Sequence, residues 1–275
     1  MALTIPVDRA VLGYAAAVVI ISLCRAAENH GNLYVAAAHL GLFPLIWLVR
    51  REPVGPVGRL LGEIYPILLL VGLYSALDVI NATKIGTTYD DVVRGWERGL
   101  FGGEPARDWW RSAPSQFWST ILHAAYFSFY LIVPIPLVAF GFRRRLPELR
   151  RSVLILFVTF AICYLTFMVF PVAGPYYEYP RPTGTFVDNG PARLVYATLA
   201  GGSSYGAAFP SSHVAGTVAA AAAAWLGDRR LGALLAVPVV LTLVGVVYCQ
   251  MHYAVDAIAG TVVAVSVAIA LRNAA

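Results

Sequence analysis

Apolar residues fall into eight runs along the chain, separated by connections rich in arginine, proline and glycine. The first two cover roughly Ala10 to Leu23 and Leu33 to Val49, and the third about Leu61 to Ile80. Five more follow: Ser119 to Phe142, Ser152 to Phe170, Pro210 to Leu226, Leu231 to Tyr248, and a last run from near His252 to near Leu271. Each approaches the roughly 20 residues that a helix needs to cross a bilayer core. The pattern predicts an all-α polytopic membrane bundle of about eight transmembrane helices. The first run is close to a full span and has few basic residues before it, so it reads as a retained anchor and not a cleaved signal. Glu63 and Asp78 lie inside the third run, where carboxylates need polar company.

Between the third and fourth runs, residues 81–116 are polar overall yet patterned. Tyr89, Val92, Val93, Trp96 and Leu100 recur at helical spacing, with Asp90, Asp91, Arg94, Glu97 and Arg98 between them. This pattern predicts an amphipathic helix in the membrane interface, its apolar stripe towards lipid. A solvated helix packed on the bundle is the plainer alternative. Trp109, Trp110 and Trp118 extend the segment as an aromatic belt.

Composition agrees with the pattern: 59% of residues are hydrophobic and 13% charged, against about 25% charged in a typical soluble domain. The three cysteines, Cys24, Cys163 and Cys249, lie in or beside apolar runs without metal-binding spacing and read as packing residues. Of twenty basic residues only Lys84 is lysine. In a membrane chain a net charge of +5 reports topology, not a nucleic-acid partner. The cluster Arg143, Arg144, Arg145, Arg150 and Arg151 marks a cytoplasmic connection by the positive-inside rule. Alternation then puts Arg9, Arg50, Arg51, Arg59, Arg229, Arg230 and Arg272 on the same side. Both termini are expected in the cytoplasm of a multi-pass cell-membrane protein, with 81–116, 171–209 and 249–251 at the external face.

Two histidines meet at that face. Phe209 to Gly216 reads FPSSHVAG, a helix start with Ser211 or Ser212 as N-cap, whose free backbone N–H groups can hold an anion. Cys249 to Asp256 reads CQMHYAVD, in which His252 and Asp256 stand four apart and share one face if both are helical. A histidine held by a carboxylate can act as a nucleophile or carry a proton. Together these features point to phosphoryl transfer. Taken alone, the pair could be a structural hydrogen bond or half a metal site. His30, His39 and His123 lack a partner at catalytic spacing: His30 reads as loop and His39 as packing, and a second-layer role is the minority reading for His123.

FPSSHVAG followed after about forty residues by HYAVDAIAG resembles the second and third signature motifs of the type 2 phosphatidic acid phosphatase superfamily. The stretches LFGGEPARDWW and LHAAYFSFYLIVPIPL further resemble its inositol phosphorylceramide synthase branch. The resemblance implies a six-helix catalytic core over 60–275, preceded by two additional spans within 1–59. It also implies that His252 is the nucleophile, Asp256 its orienting partner and His213 the acid for the leaving oxygen, with no metal or other cofactor. Ser211, Ser212, Arg181, Gln250 and Arg193 would bind phosphate. Independently of the resemblance, alternation puts Asp78 near the outer leaflet, where it would contact the head group or pair with Lys84. The chain departs from the family pattern twice: Gly174 stands where the first motif normally has lysine, and Val246 where the third has arginine.

The implied activity is that of a lipid phosphotransferase or phosphatase working through phosphohistidine. Its donor would be a lipid phosphate or phosphodiester, a phosphoinositol head group among them, and its acceptor a lipid hydroxyl or water. The segment 81–116 is expected to cover the site and favour the lipid hydroxyl. The alternatives are a hydrolase of lipid or polyprenyl phosphates, and a non-catalytic lipid-binding or transport protein. The latter would carry repeated halves with broken spans, which the sequence does not show.

Overall fold

The computed structural model describes residues 6–51, 55–84 and 86–274. Every predicted apolar run is helical. The first three runs form α1 (Pro6–Cys24), α2 (Gly31–Leu40) with α3 (Leu42–Val49), and α4 (Gly55–Ile80). The polar segment folds into α5 (Asp90–Phe101) and α6 (Pro105–Ser112). The fourth run is α7 (Gln116–Phe127), α8 (Phe129–Ile132) and α9 (Ile135–Phe142), interrupted near Pro134 and Pro136, which lack the N–H that a continuous helix uses. Then come α10 (Leu146–Val169), the single turn α11 (Pro175–Glu178), α12 (Gly190–Gly202), α13 (Ser212–Gly227), α14 (Arg229–Tyr248) and α15 (Ala254–Ala270).

The protein is an all-α polytopic bundle. Among the described residues six helical segments are long and apolar enough to cross a membrane: α1, α2 with α3, α4, α7 through α9, α10, and α14. The two remaining predicted spans, α13 with 16 residues and α15 with 17, are shorter. Both lose length at the same end, where their sequences open on a polar loop.

The core forms around α10, which packs against α1, α4, α9, α13 and α15. Its Val153, Ile155, Leu156, Phe157 and Phe167 are fully buried. Neighbouring α13 carries Ala215, Ala219, Ala220 and Ala224, small enough for α10, α14 and α15 to approach on three sides. Gly260 of α15 is the tightest of these approaches, because a Cβ there would stand 2.5 Å from the Ser211 carbonyl oxygen.

Polar pairs join helix ends in agreement with the alternating course of the chain. At one end Arg50 clasps buried Asp8 through two 2.8 Å hydrogen bonds, and Arg150 holds Glu63 at 2.7 and 2.8 Å. At the other end Arg25 donates to the carbonyl of Met168 at 2.7 Å and that of Ile80 at 3.4 Å, satisfying the last turns of α10 and α4. Lys84 pairs with Glu28 at 3.2 Å, leaving Asp78 exposed without it.

Helix α5 departs from expectation in its polar residues. Its stripe Val92, Trp96 and Leu100 is exposed, whereas Asp90, Val93 and Glu97 form the buried face. Two carboxylates therefore point into the protein, where Asp90 accepts two backbone N–H groups at 2.8 Å and Glu97 one at 3.4 Å. Trp96 and Tyr89 anchor the rim by stacking on Phe170, at 5.9 and 4.4 Å between ring centroids.

Candidate active site

The short ends of α13 and α15 meet the loop 170–182 at one end of the bundle. Val172 and Ala207 pair side by side, with the Val172 N–H donating to Gly206 and the Ala208 N–H to Val172. The Ser211 N–H donates to the Asp256 carbonyl at 3.0 Å, locking the two helix starts together. Ser211 is the N-cap of α13: its hydroxyl accepts the Val214 N–H at 3.3 Å. Ser212 opens the helix itself.

The sequence placed His252 within a helix, four residues before Asp256. In the structure α15 begins only at Ala254, so His252 belongs to the preceding loop. The two side chains still meet, with Nδ1 of His252 3.4 Å from Asp256 Oδ2. Asp256 reaches back because it is the third residue of α15, and the same oxygen accepts the Tyr253 N–H at 2.9 Å. This is a capping-box geometry.

His252 Nδ1 also lies 3.0 Å from the Ala208 carbonyl oxygen. A carbonyl can only accept, so Nδ1 carries the hydrogen and Nε2 keeps its lone pair. Burial pushes the His252 pKa down to about 4, partly offset by that carbonyl. At neutral pH the ring is an uncharged base with its free nitrogen turned away from Asp256. Oδ1 of Asp256 and Nε2 of His213 are buried without a hydrogen-bond partner in the protein.

His213 stands across from His252, with ring centroids 5.9 Å apart. Tyr126 stacks on it at 4.5 Å and Phe129 packs at the same distance, fixing the ring plane. Both histidines and Ser212 line a cavity of about 530 Å³. Six tyrosines also line it, at positions 74, 126, 130, 164, 176 and 177, and Ile67, Leu70, Val71 and Val133 extend it along the helices. Among the described residues no lysine or arginine lines it.

The other expected anion-binding residues lie apart from this cavity. Arg181 is exposed and stacks 4.2 Å above the outer face of Tyr176, one ring away from the lining. Arg193 pairs at the surface with Asp188 at 3.1 Å. Asp78 does not line it either. Gln250 is buried and fully engaged: it accepts from Trp110 at 2.9 Å and Arg111 at 2.8 Å, and donates to the carbonyls of Pro175 and Pro180. Among the described residues of 81–116 none lines the cavity, and the segment braces the loops behind it instead of covering it. His123 is buried beside Ser119 and Cys249, behind Phe186.

Asp90 and Glu97 of that brace escaped the sequence reading. Asp90 accepts the N–H groups of Ala173 and Gly174, both at 2.8 Å, and the Tyr253 hydroxyl at 3.0 Å. Gly174 adopts φ +89°, where a side chain would be strained, and a Cβ there would lie 2.7 Å from that of Ala208. Glycine at the position of the family's lysine thus permits close approach of the loop to Ala208, the residue that orients His252. Glu97 lies under the start of α15, where burial raises its pKa to about 7 against the opposing pull of backbone N–H groups from Ala254 and Ala106. The available signal was spacing: Asp90, Val93 and Glu97 share one helical face, which adjoins the exposed apolar stripe along Val93.

Among the described residues no group of three or more His, Cys, Asp or Glu side chains has the arrangement to hold a metal ion. Comparison with protein families matches residues 97–271 to the PAP2 superfamily. No curated protein and no solved structure matches the chain.

Proposed function

The chain belongs to the PAP2 superfamily, and from that premise we propose that it is a metal-independent lipid phosphotransferase working through a phosphohistidine at His252. Membership supports a membrane phosphatase-like activity on lipid phosphates. The observation that carries the finer reading is the Nδ1–H of His252, donated to Ala208 beside Asp256, which leaves Nε2 as a lone-pair donor.

In the first step Nε2 attacks phosphorus, the bond from phosphorus to the leaving oxygen breaks, and protonated His213 gives that oxygen its proton. Asp256 stabilises the positive charge that the phosphorylated imidazole ring acquires. In the second step neutral His213 takes the proton of the acceptor hydroxyl, whose oxygen attacks phosphorus. The P–N bond then returns its electrons to His252, and His213 is again protonated. Ser212 and the first N–H groups of α13 hold the equatorial oxygens.

A cavity lined by phenols and serines, without a cation, suits a phosphodiester of single charge better than a doubly charged monoester. This favours the inositol phosphorylceramide synthase-like branch, with a phosphoinositol-type donor and a lipid hydroxyl as acceptor. One observation favours hydrolysis instead: no described residue of 81–116 lines the cavity, so this segment supplies no cover against water there. We place the site at the external face, both termini in the cytoplasm, and the catalytic core within 60–275. Incubation with paired phosphomonoesters and phosphodiesters, with and without a lipid alcohol, separates the readings by mass spectrometry. Exchanged phosphodiester product supports transfer, and free phosphate with no exchanged product supports hydrolysis.

A further inference from the structure

We propose that the end of the bundle opposite His252 carries a second binding site, for the phosphate group of an anionic phospholipid. A cavity of about 500 Å³ opens there among α3, α4, α9 and the start of α10. Arg50, Arg51, Arg59, Arg144 and Arg150 line it, with Glu63 the one acidic residue among its described lining.

Two of these arginines are already matched, Arg50 by Asp8 and Arg150 by Glu63. Among the described residues, Arg51, Arg59 and Arg144 have no carboxylate within ion-pair distance. The matched pairs stiffen the rim, while the other three make its described residues cationic. The Arg51 guanidinium carbon stands over Trp47, 3.5 Å from the ring centre, a cation–π contact that holds the group on the rim. Arg144 adopts φ +54° just past the end of α9, where glycine is the easier occupant. A long cationic side chain is therefore held at a strained position on the edge of a cationic cavity.

Topology alone needs arginines in the connections, and it does not need them to converge on a concavity. Behind the rim the wall is apolar, formed by Val49, Leu60, Phe140 and Leu149. A phosphate beside an acyl chain matches both parts, whereas free phosphate uses only the rim. Basic pockets between helix ends at the membrane surface suit anionic lipid head groups, with each arginine contributing measurably to retention.

The test uses the full chain in nanodiscs of phosphatidylcholine doped with phosphatidylglycerol, with retained lipid counted by native mass spectrometry. The wild-type protein is expected to retain phosphatidylglycerol at least ~10-fold over phosphatidylcholine. Arg59→Gln with Arg144→Gln should abolish the preference, and the matching lysine pair should keep part of it, which covers failure of the first variant to fold. His252→Ala should retain the lipid, since the catalytic cavity is at the other end. Absence of preference in the wild type, or equal retention by the glutamine pair, overturns the proposal. Displacement by millimolar inorganic phosphate overturns the lipid assignment in favour of a soluble ligand, and loss in His252→Ala assigns the retained lipid to the catalytic cavity.

Discussion

The Asp90 carboxylate accepts the Tyr253 hydroxyl at 3.0 Å while holding the Gly174 N–H at 2.8 Å, so one side chain of α5 ties the loop 170–182 to the residue beside His252. Both tied strands of chain contact the His252 ring or its neighbours, through Ala208 on one side and Asp256 on the other. Asp90→Asn keeps the size but weakens acceptance from two N–H groups and a hydroxyl. Turnover should fall ~10- to 100-fold with KM changed less, because the ring is displaced and the cavity is not. Tyr253→Phe should lose less, and the two losses combined should fall short of their product. Steady-state kinetics on the two single variants and the double variant check this, and fully multiplicative losses would mean that the two residues act separately.

Glu97 makes stability depend on pH. Its pKa in the fold is raised to about 7 from an ordinary 4.5, so the folded chain holds a proton that the unfolded chain has released between those values. The contribution of Glu97 is fully present below about pH 4.5 and is lost as pH rises through 7. The difference in Tm between wild type and Glu97→Gln, followed from pH 4.5 to 8 in detergent, should move in favour of the glutamine variant as pH rises. A difference independent of pH would remove Glu97 from the account of how α5 holds α15.

Substitution of the two histidines separates chemistry from architecture. His252→Ala and His213→Ala should each lower turnover by at least ~10³-fold, and Asp256→Asn should approach that loss, since the three act as a unit. Gln250→Ala should instead act mainly on folding, because its amide joins α6 to the carbonyls of Pro175 and Pro180. Vanadate should inhibit and chelators should not. Activity lost in chelator and restored by a divalent ion would contradict the metal-independent mechanism. Thermal melts beside the rate measurements distinguish a misfolded variant from an inactive one.

Much of this architecture is legible from hydropathy alone, because a spanning helix needs only length and apolar side chains. Ser211 announces the start of α13 and is its cap. The loop position of His252 was hidden by its spacing from Asp256, since a four-residue interval reads as helical whether or not the helix has begun. Gln250 looked available for phosphate because sequence shows an amide but not its four partners. The inward turn of Asp90 and Glu97 was hidden for a similar reason: carboxylates on an amphipathic helix are normally solvated, and these two are drawn in by backbone N–H groups from distant segments.

Sidedness is open to direct labelling. In a background without Cys24, Cys163 and Cys249, cysteine at the exposed Asp188 should react with an impermeant maleimide on intact cells, and cysteine at Arg145 only after permeabilisation. The reverse pattern would place the catalytic end at the cytoplasmic leaflet and invert the reading of the arginine-rich connections.

The most direct test is to trap the intermediate. Protein mixed with lipid donor and quenched in alkali, where phosphohistidine survives, should yield a phosphorylated peptide containing His252, with the group on the ring nitrogen Nε2. The label should disappear in His252→Ala and be discharged when a lipid hydroxyl is added. Turnover of the His252→Ala variant at the wild-type rate, or a label on any other residue, would contradict the account.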